Sequence, residues 1–485
     1  MISLIGNELK KIFKKKTIYI LLIITLAYML LMNIMIKATD DGYSYYYYYE
    51  GDIEYYESML EELNPENSAD RSSYIEYKSS LELLNLTREY GNNSWQAYVI
   101  NTLLSSDITT IVTHDYSDEI TEEAYNEAKS SYDTAISKLE SDDWKYFVNQ
   151  DLEEINSFLE EQYLQRENTS NNEALTSIND TIYDLELRKQ IDEWRLEKDI
   201  SYAPGFLNSQ LQSYYYGMLD LKQYSSTNID ELSSDDLQYY QSSVEETNLA
   251  RYYIDNMIVL DNNGREIFLT LFNNYELFIL IIGIVIAGSI VSDEFNKGTI
   301  KLLLVKPYNR VKILLSKFIV CMLILILTIV FIAVFQLVIG GIVFGYDSLS
   351  TPAILYNFDT NRVETMNLLA YVGLIGICKL PIYILLTTLA FACSTIFTNS
   401  ALAIAVPFLG YMSSSFINQL ALVYDIKQVI YFVTPNWDLS YYLFGGTPLF
   451  KELSLPFSLC ICLVYFIIMI VVSCLVFKKR DIKNI

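Results

Sequence analysis

Histidine, phosphate-binding glycine loops and cysteine outside apolar runs are all missing or nearly so from this chain, and each absence removes a class of function. One histidine, His114, stands among 485 residues. With no second histidine and no cysteine near it in sequence, it leaves little for a Ser-His-Asp or Cys-His centre, and no cluster has metal-ligand spacing. Gly-x-x-x-x-Gly-Lys-Ser/Thr occurs nowhere, so the chain has no phosphate cradle with which to bind ATP itself. The six cysteines, Cys321, Cys378, Cys393, Cys460, Cys462 and Cys474, all fall inside apolar runs. Cys460 and Cys462 are two apart on an expected helix and face different directions, which argues against a metal site. Residues 37–273 hold no cysteine, so that segment cannot use disulfides and must be large enough to keep its own core.

The composition describes two physical regimes. The chain is 52% hydrophobic yet carries a formal net charge of −25. Residues 37–273 contain 48 Asp/Glu against 15 Lys/Arg, whereas the remainder contains 11 against 19, so an acidic soluble segment is set into a basic, membrane-bound frame. The basic residues of the frame lie beside apolar runs, where membrane orientation explains them, and no nucleic-acid partner is expected.

The frame opens with residues 1–16, whose Ile2, Ile5, Leu9, Ile12 and Phe13 form one helical stripe, the pattern of an interfacial helix. Residues 17–36 are a 20-residue apolar run, about 30 Å as a helix and so one bilayer crossing. The run exceeds a usual signal-peptide core and is read as a retained first span. Five lysines precede it and Lys37 alone follows closely, which sets the N-terminus inside. Further spans are expected over 274–291, 311–345, 367–397, 401–424 and 454–477, giving six. The third is too long for one untilted crossing, so its first turns, with Lys312 and Lys317, are expected at the inner interface. Gln336 sits deep in it and faces either a pathway or a neighbouring helix. Lys379 interrupts the fourth span just before Pro381; it either reaches the outer interface through a kinked or re-entrant helix or lines a substrate pathway. Pro407 and Gly410 are kink sites in the fifth. Fifteen Lys/Arg fall at inner positions, and both termini are expected in the cytoplasm.

The acidic segment opens with five consecutive tyrosines, 45–49, which fit an aromatic girdle at the outer headgroups, a partner-binding patch or simple low complexity. Helical patterns then run over 52–63, 68–90, 93–105, 117–141, 142–166, 171–200, 204–222 and 233–260. Ser117-Asp-Glu-Ile-Thr-Glu-Glu reads as a helix start, and Ile155, Leu159 and Tyr163 recur at helical spacing. A mostly α-helical domain outside the membrane is expected. Its acidity either concentrates cationic ligands such as basic peptides or only keeps the surface solvated.

The remaining stretch, 290–317, is a polar hinge between the second and third spans with six Lys/Arg. Thr299 can cap a short helix from Ile300, Gly298 closes the segment before it, and Lys306 cannot comfortably stay helical ahead of Pro307. Ile300, Leu303 and Leu304 fall at i, i+3 and i+4, so one face is apolar and suited to a groove or to the lipid surface. The pattern Glu294, Gly298, Thr299, Leu303, Leu304, Pro307 and Arg310, with Lys317 opening the next span, resembles the loop after the second span of ABC-2-type permeases. That resemblance covers residues 1–36 and 274–485 and not the large insert 37–273.

What the resemblance implies is an all-α polytopic membrane protein: an interfacial helix and first span at 1–36, an extracellular domain at 37–273, and spans two to six at 274–485 with a cytoplasmic coupling loop at 292–312. It further implies the permease subunit of an exporter in a bacterial plasma membrane, itself without enzymatic activity or cofactor. ATP and Mg2+ would sit on a separate ABC ATPase subunit, and a second permease subunit, identical or not, would complete a dimer within the lipid bilayer. Glu294, Gly298, Thr299, Ile300, Leu303, Leu304, Pro307 and Arg310 would carry ATPase coupling. A peptide or other amphipathic substrate is expected, with a cationic peptide at the outer domain. The other readings are an antimicrobial-peptide sensing or resistance module that binds ligand without transport, and a structural membrane anchor.

Overall fold

The computed structural model describes residues 1–38, 50–260, 262–299, 309–424 and 426–480. The tyrosine run 45–49 and Ile300, Leu303, Leu304 and Pro307 lie outside the described residues. The chain divides into two compact units: one holds Met1–Asp40, Ser226–Glu245 and Asp261–Ile485, the other Asp41–Ser225 and Glu246–Leu260.

The first unit begins with α1, Ile2–Ile12, amphipathic as its stripe predicts, with Ile12 buried on the apolar face. A short break leads into α2, Lys16–Ala38, uniformly apolar and therefore without a preferred face.

In the second unit, helices α3 (Glu50–Glu62), α4 (Arg71–Tyr90), α5 (Trp95–Thr102), α6 (Ser105–Tyr116), α7 (Glu122–Glu140), α8 (Trp144–Asn168), α9 (Asn172–Lys198) and α10 (Phe206–Gln223) follow one another. Helix α11 is Ser234–Asp255, of which the residues up to Glu245 belong to the first unit and the rest to the second. Several starts are fixed by side-chain caps: Ser94 accepts from the Ala97 amide, Thr121 from Ala124, Asp143 from Tyr146 and Asn171 from Glu173. The largest departures from the sequence reading lie around residues 105–122. The helix expected from 117 starts at Glu122, because Thr121 caps it and Ser117 ends the helix before. That preceding helix, α6, enters the sequence pattern only as the tail of 93–105. Without disulfides the unit is held by apolar packing: Trp95, Ile100, Leu104, Ile108, Leu139 and Phe147 belong to its largest cluster, and Leu187, Leu211, Tyr214 and Ile254 to a second. Ile155 and Leu159 are buried against Ile182 and Leu185, with Tyr163 packed beside them.

The first unit resumes with α12 (Asn262–Leu269), α13 (Leu271–Asn274), α14 (Glu276–Ile290), α15 (Ser292–Asn296), α16 (Arg310–Phe344) and α17 (Asp347–Ser350). An antiparallel hairpin, β1 (Ala353–Asn357) with β2 (Arg362–Met366), pairs Ala353 with Met366 and Asn357 with Arg362. It occupies the stretch between the expected third and fourth spans. Then come α18 (Leu368–Cys378), α19 (Leu380–Ile396), α20 (Ser400–Val423) and α21 (Leu455–Lys479). The third span is one unbroken 35-residue helix, and the fifth passes Pro407 without a break, whereas the fourth is divided at Lys379. Among the described residues, six helical segments are long and apolar enough to cross a bilayer, and the chain is a multi-pass membrane protein.

The second span is the centre of this unit. Ile279, Leu280, Ile282, Ile284, Ala287 and Ile290 are all buried, and the helix packs on α19, α20, α16 and α2. Two glycines permit the approach. A methyl group on Gly283 would come 2.6 Å from Thr387 Oγ1, and one on Gly288 would come 3.2 Å from the Ala403 carbonyl carbon. Small residues at such crossings let helix backbones close in where lipid supplies no hydrophobic drive.

Candidate functional site

Four of the polar clusters among the described residues of the membrane unit hold or adjoin the residues singled out above, and two of them meet where the second span ends. The first centres on Lys317, in the second turn of α16, whose side chain is 0% exposed. A bare ammonium cannot be held there, so it must be paired. Its Nζ donates to Glu8 Oε2 at 2.7 Å and to Glu294 Oε1 at 2.8 Å. Lys11, one turn after Glu8 on α1, donates to Glu8 Oε1 at 2.8 Å and to Glu294 Oε1 at 3.0 Å. Two lysines and two carboxylates thus balance, tying the interfacial helix, the end of the second span and the start of the third. Burial alone would push the Glu8 carboxyl up, but Lys317 and Lys11 together outweigh it and hold it below its ordinary value. For Lys11, burial acts to lower the ammonium, and Glu8 and Glu294 more than compensate, raising it.

The second cluster lies one residue away in sequence. Asp293 Oδ2 accepts from Lys15 Nζ at 2.7 Å and its Oδ1 from the Ser400 hydroxyl at 2.7 Å. The Ser394 hydroxyl accepts from the Val291 and Ser292 amides at 3.1 and 2.9 Å, filling the donors left open where α14 gives way to α15. The turn between the fourth and fifth spans is thereby clamped to the end of the second.

Beyond this platform Gly298 takes φ +68°, a left-handed conformation that glycine reaches without strain, and ends the segment as its sequence suggests. Thr299 donates its hydroxyl to the Glu294 carbonyl at 3.4 Å. Where the chain is again described, the Asn309 side chain caps α16 by accepting from the Val311 amide at 3.0 Å. Arg310 donates to the Lys478 and Arg480 carbonyls at 3.4 and 3.2 Å, so it meets the end of the sixth span. Arg480 in turn donates to the Thr395 carbonyl at 2.6 Å and lies 4.4 Å from the Phe295 ring centre. Glu294, Gly298, Thr299 and Arg310 therefore flank residues 300–308: Glu294 is tied to α1 and α16, Arg310 to the end of the sixth span, and Thr299 to Glu294 itself.

The other two clusters hold the residues singled out within spans. Gln336 is 1% exposed and pairs amide to amide with Asn33 of α2, its Nε2 donating to Asn33 Oδ1 at 2.9 Å and its Oε1 accepting from Asn33 Nδ2 at 3.1 Å. Tyr275 adds a third bond to the same Gln336 oxygen at 3.0 Å. The amide is thus bonded to residues of neighbouring elements. Lys379, at the break in the fourth span, is buried and donates to Glu276 Oε2 at 2.9 Å and is paired with Asp438 Oδ2 at 2.7 Å. Tyr411 donates to the other Glu276 oxygen at 2.8 Å. The charge of Lys379 is met inside the protein by two carboxylates.

Sequence reasoning passes over Glu8, Asn33, Glu276 and Asp438. For Glu8 a signal is present: it lies between Ile5 and Ile12 on the apolar stripe of α1, where a carboxylate needs a partner. Among the described residues no group of three His, Cys, Asp or Glu is placed to hold a metal ion. His114 stacks on Tyr125 with ring centres 4.1 Å apart.

The chain is 32% identical over 212 residues to the uncharacterized protein YhcI of Bacillus subtilis (strain 168), covering 44% of this chain and 67% of that protein. It is 32% identical over 200 residues to the uncharacterized membrane protein YdbK of the same organism, covering 41% and 76%. No solved structure matches. Residues 238–483 match a family described as a protein of unknown function, DUF2705. That match runs from within α11 through the end of the sixth span, and the chain belongs to the DUF2705 family.

Proposed function

We propose that the chain is the membrane-spanning permease subunit of an ATP-driven exporter of the ABC-2 type, acting with a separate cytoplasmic ATPase and a second permease subunit. The observation that carries this reading is the Glu8–Lys11–Glu294–Lys317 cluster, which anchors both flanks of the 300–308 segment in one charge-balanced block. A partner pressing on that segment would transmit force to the interfacial helix and to the second and third spans together, because a buried, fully paired cluster shifts as a unit rather than bond by bond. The excess of Lys/Arg at this end supports placing it in the cytoplasm, and the acidic unit then lies outside, where it meets the substrate.

Reconstitution with an ATPase subunit that co-purifies with the chain tests this. A Glu294→Lys change would set three ammonium groups together and disturb folding as well as coupling, so Leu303→Asp with Leu304→Asp is the cleaner variant. The expected outcome is a complex whose ATP hydrolysis no longer responds to the permease and which moves no substrate. Hydrolysis and transport equal to wild type would refute the coupling assignment.

A further inference from the structure

The membrane unit holds a cavity of about 340 Å³ between the first part of α11, the β1–β2 hairpin, α18 and residues 440–447, at the far end of α16 from residues 300–308. Five aromatic side chains line it: Tyr356, Phe358, Tyr371, Tyr441 and Phe444. Among the described residues lining it, Glu245 alone is charged. It faces the cavity because α11 turns one side that way, with Gln238, Gln241 and Glu245 at i, i+3 and i+7. The two amides knit the helix to the segment before the sixth span: Gln238 Nε2 donates to the Pro448 carbonyl at 3.3 Å, and Gln241 Oε1 accepts from the Thr447 amide at 3.0 Å. Glu245 is different. Among the described residues no donor and no cation meets its carboxylate, and burial, with nothing to offset it, pushes the carboxyl up.

Two further features mark the wall. Phe444 takes φ +55°, a left-handed conformation that costs a bulky residue free energy and is kept only where its surroundings impose it. Its carbonyl accepts from the Phe358 amide at 2.8 Å and its ring stacks on Tyr371, centres 6.2 Å apart and 20° from parallel, so the strained turn holds an aromatic ring in the wall. Tyr441 is 43% exposed and has no ring stacked on it among the described residues. The second feature is charge. In the neighbouring cluster Glu276 and Asp438 share Lys379 alone, and Asp438 reaches the wall by accepting at Oδ1 from the Ser440 amide at 3.0 Å. With Glu245, three carboxylates stand against one ammonium.

We propose that this cavity binds an organic cation, an ammonium group on an aromatic or apolar body, with its charge beside Glu245 and its body against Tyr441, Tyr371 and Phe444. Aromatic faces attract cations through their quadrupoles and give the body apolar contact. The excess of carboxylate repels anions, and one carboxylate among rings offers too few oxygen ligands for a hard metal ion. The site stands whether or not the membrane unit is an ATP-driven permease.

Calorimetry on the full chain in an uncharged detergent, with benzyltrimethylammonium as the probe, tests the proposal. Wild type should bind the probe saturably, and uncharged benzyl alcohol at least about tenfold more weakly. Glu245→Gln removes the charge and breaks no bond, so it should match wild type in resistance to SDS while its affinity for the probe falls at least about tenfold. Tyr441→Leu should weaken binding about threefold. Asp235→Asn, the same loss of charge on an exposed turn of α11, should bind as wild type. Should one cavity variant fail to fold, the other and the comparison with benzyl alcohol decide. Absence of saturable binding to wild type, a folded Glu245→Gln or Tyr441→Leu chain that binds as wild type, equal weakening by Asp235→Asn, or equal binding of benzyl alcohol would each overturn the proposal.

Discussion

Replacing Lys317 by methionine nearly keeps the length of the side chain and removes its charge. In the native protein this ammonium has no solvent contact and lies 2.7 and 2.8 Å from the Glu8 and Glu294 carboxylates. Without it, two carboxylates remain with Lys11 alone, which is half exposed at 52% and already bonded to both. Removing one partner of a buried ion pair costs about 3–5 kcal/mol. Because Lys11 retains its bonds, the lower end, about 3 kcal/mol, is expected. The sign of the pH dependence follows from Glu8, whose carboxyl is held below its ordinary value of 4.5. A depressed carboxyl contributes stability that is present above that value and lost as pH falls through the native one. In the variant the depression is weakened, so the gap between wild type and variant should be widest near neutrality and narrow in acid. Mixed-micelle SDS titration of the purified chain at about pH 7 and about pH 4 measures both gaps. Adding Glu8→Gln to Lys317→Met should recover part of the loss. A variant within about 0.5 kcal/mol of wild type at neutral pH, or a gap equal at the two pH values, would refute the reasoning.

Other parts of the unit make their own tests. Asn33→Leu and Gln336→Leu each strand the partner's amide and should cost about 1 kcal/mol, whereas the double variant should cost less than the sum, which a double-mutant cycle by SDS titration reads directly. Lys379→Met leaves Glu276 and Asp438 without their shared cation and should cost about 3 kcal/mol, with partial rescue by Asp438→Asn in the same assay. Gly288→Val pushes a side chain against Ile404 Cγ1, 2.8 Å from the first added carbon, and against the Ala403 backbone at 3.2 Å, which cannot turn aside, and should cost about 1–3 kcal/mol.

What the sequence makes legible is local or periodic. The six apolar runs are apparent because each spans a bilayer length by itself, and the charge division of the chain separates residues 37–273 from the rest without any knowledge of contacts. The break at Lys379 is visible from Pro381. The partners are not: Lys317 and Glu8 are 309 residues apart, beyond the reach of any local motif, and Lys379 finds Glu276 across 103. Helix α6 falls between the sequence patterns 93–105 and 117–141 and goes unread, although Ser105 and Asp107 stand in its first turn. The β1–β2 hairpin escapes notice because strands of five residues joined by a short turn carry too little alternation to rise above a loop.

The most direct test of the permease reading is co-purification of the full chain in detergent with the neighbouring gene products, comparing wild type with the Leu303→Asp, Leu304→Asp variant. The reading predicts an ATP-hydrolysing subunit bound to wild type and lost from the variant, while the variant still shows wild-type resistance to SDS. If no ATPase associates with the wild-type chain, or the variant retains it in full, coupling through the loop between the second and third spans is contradicted.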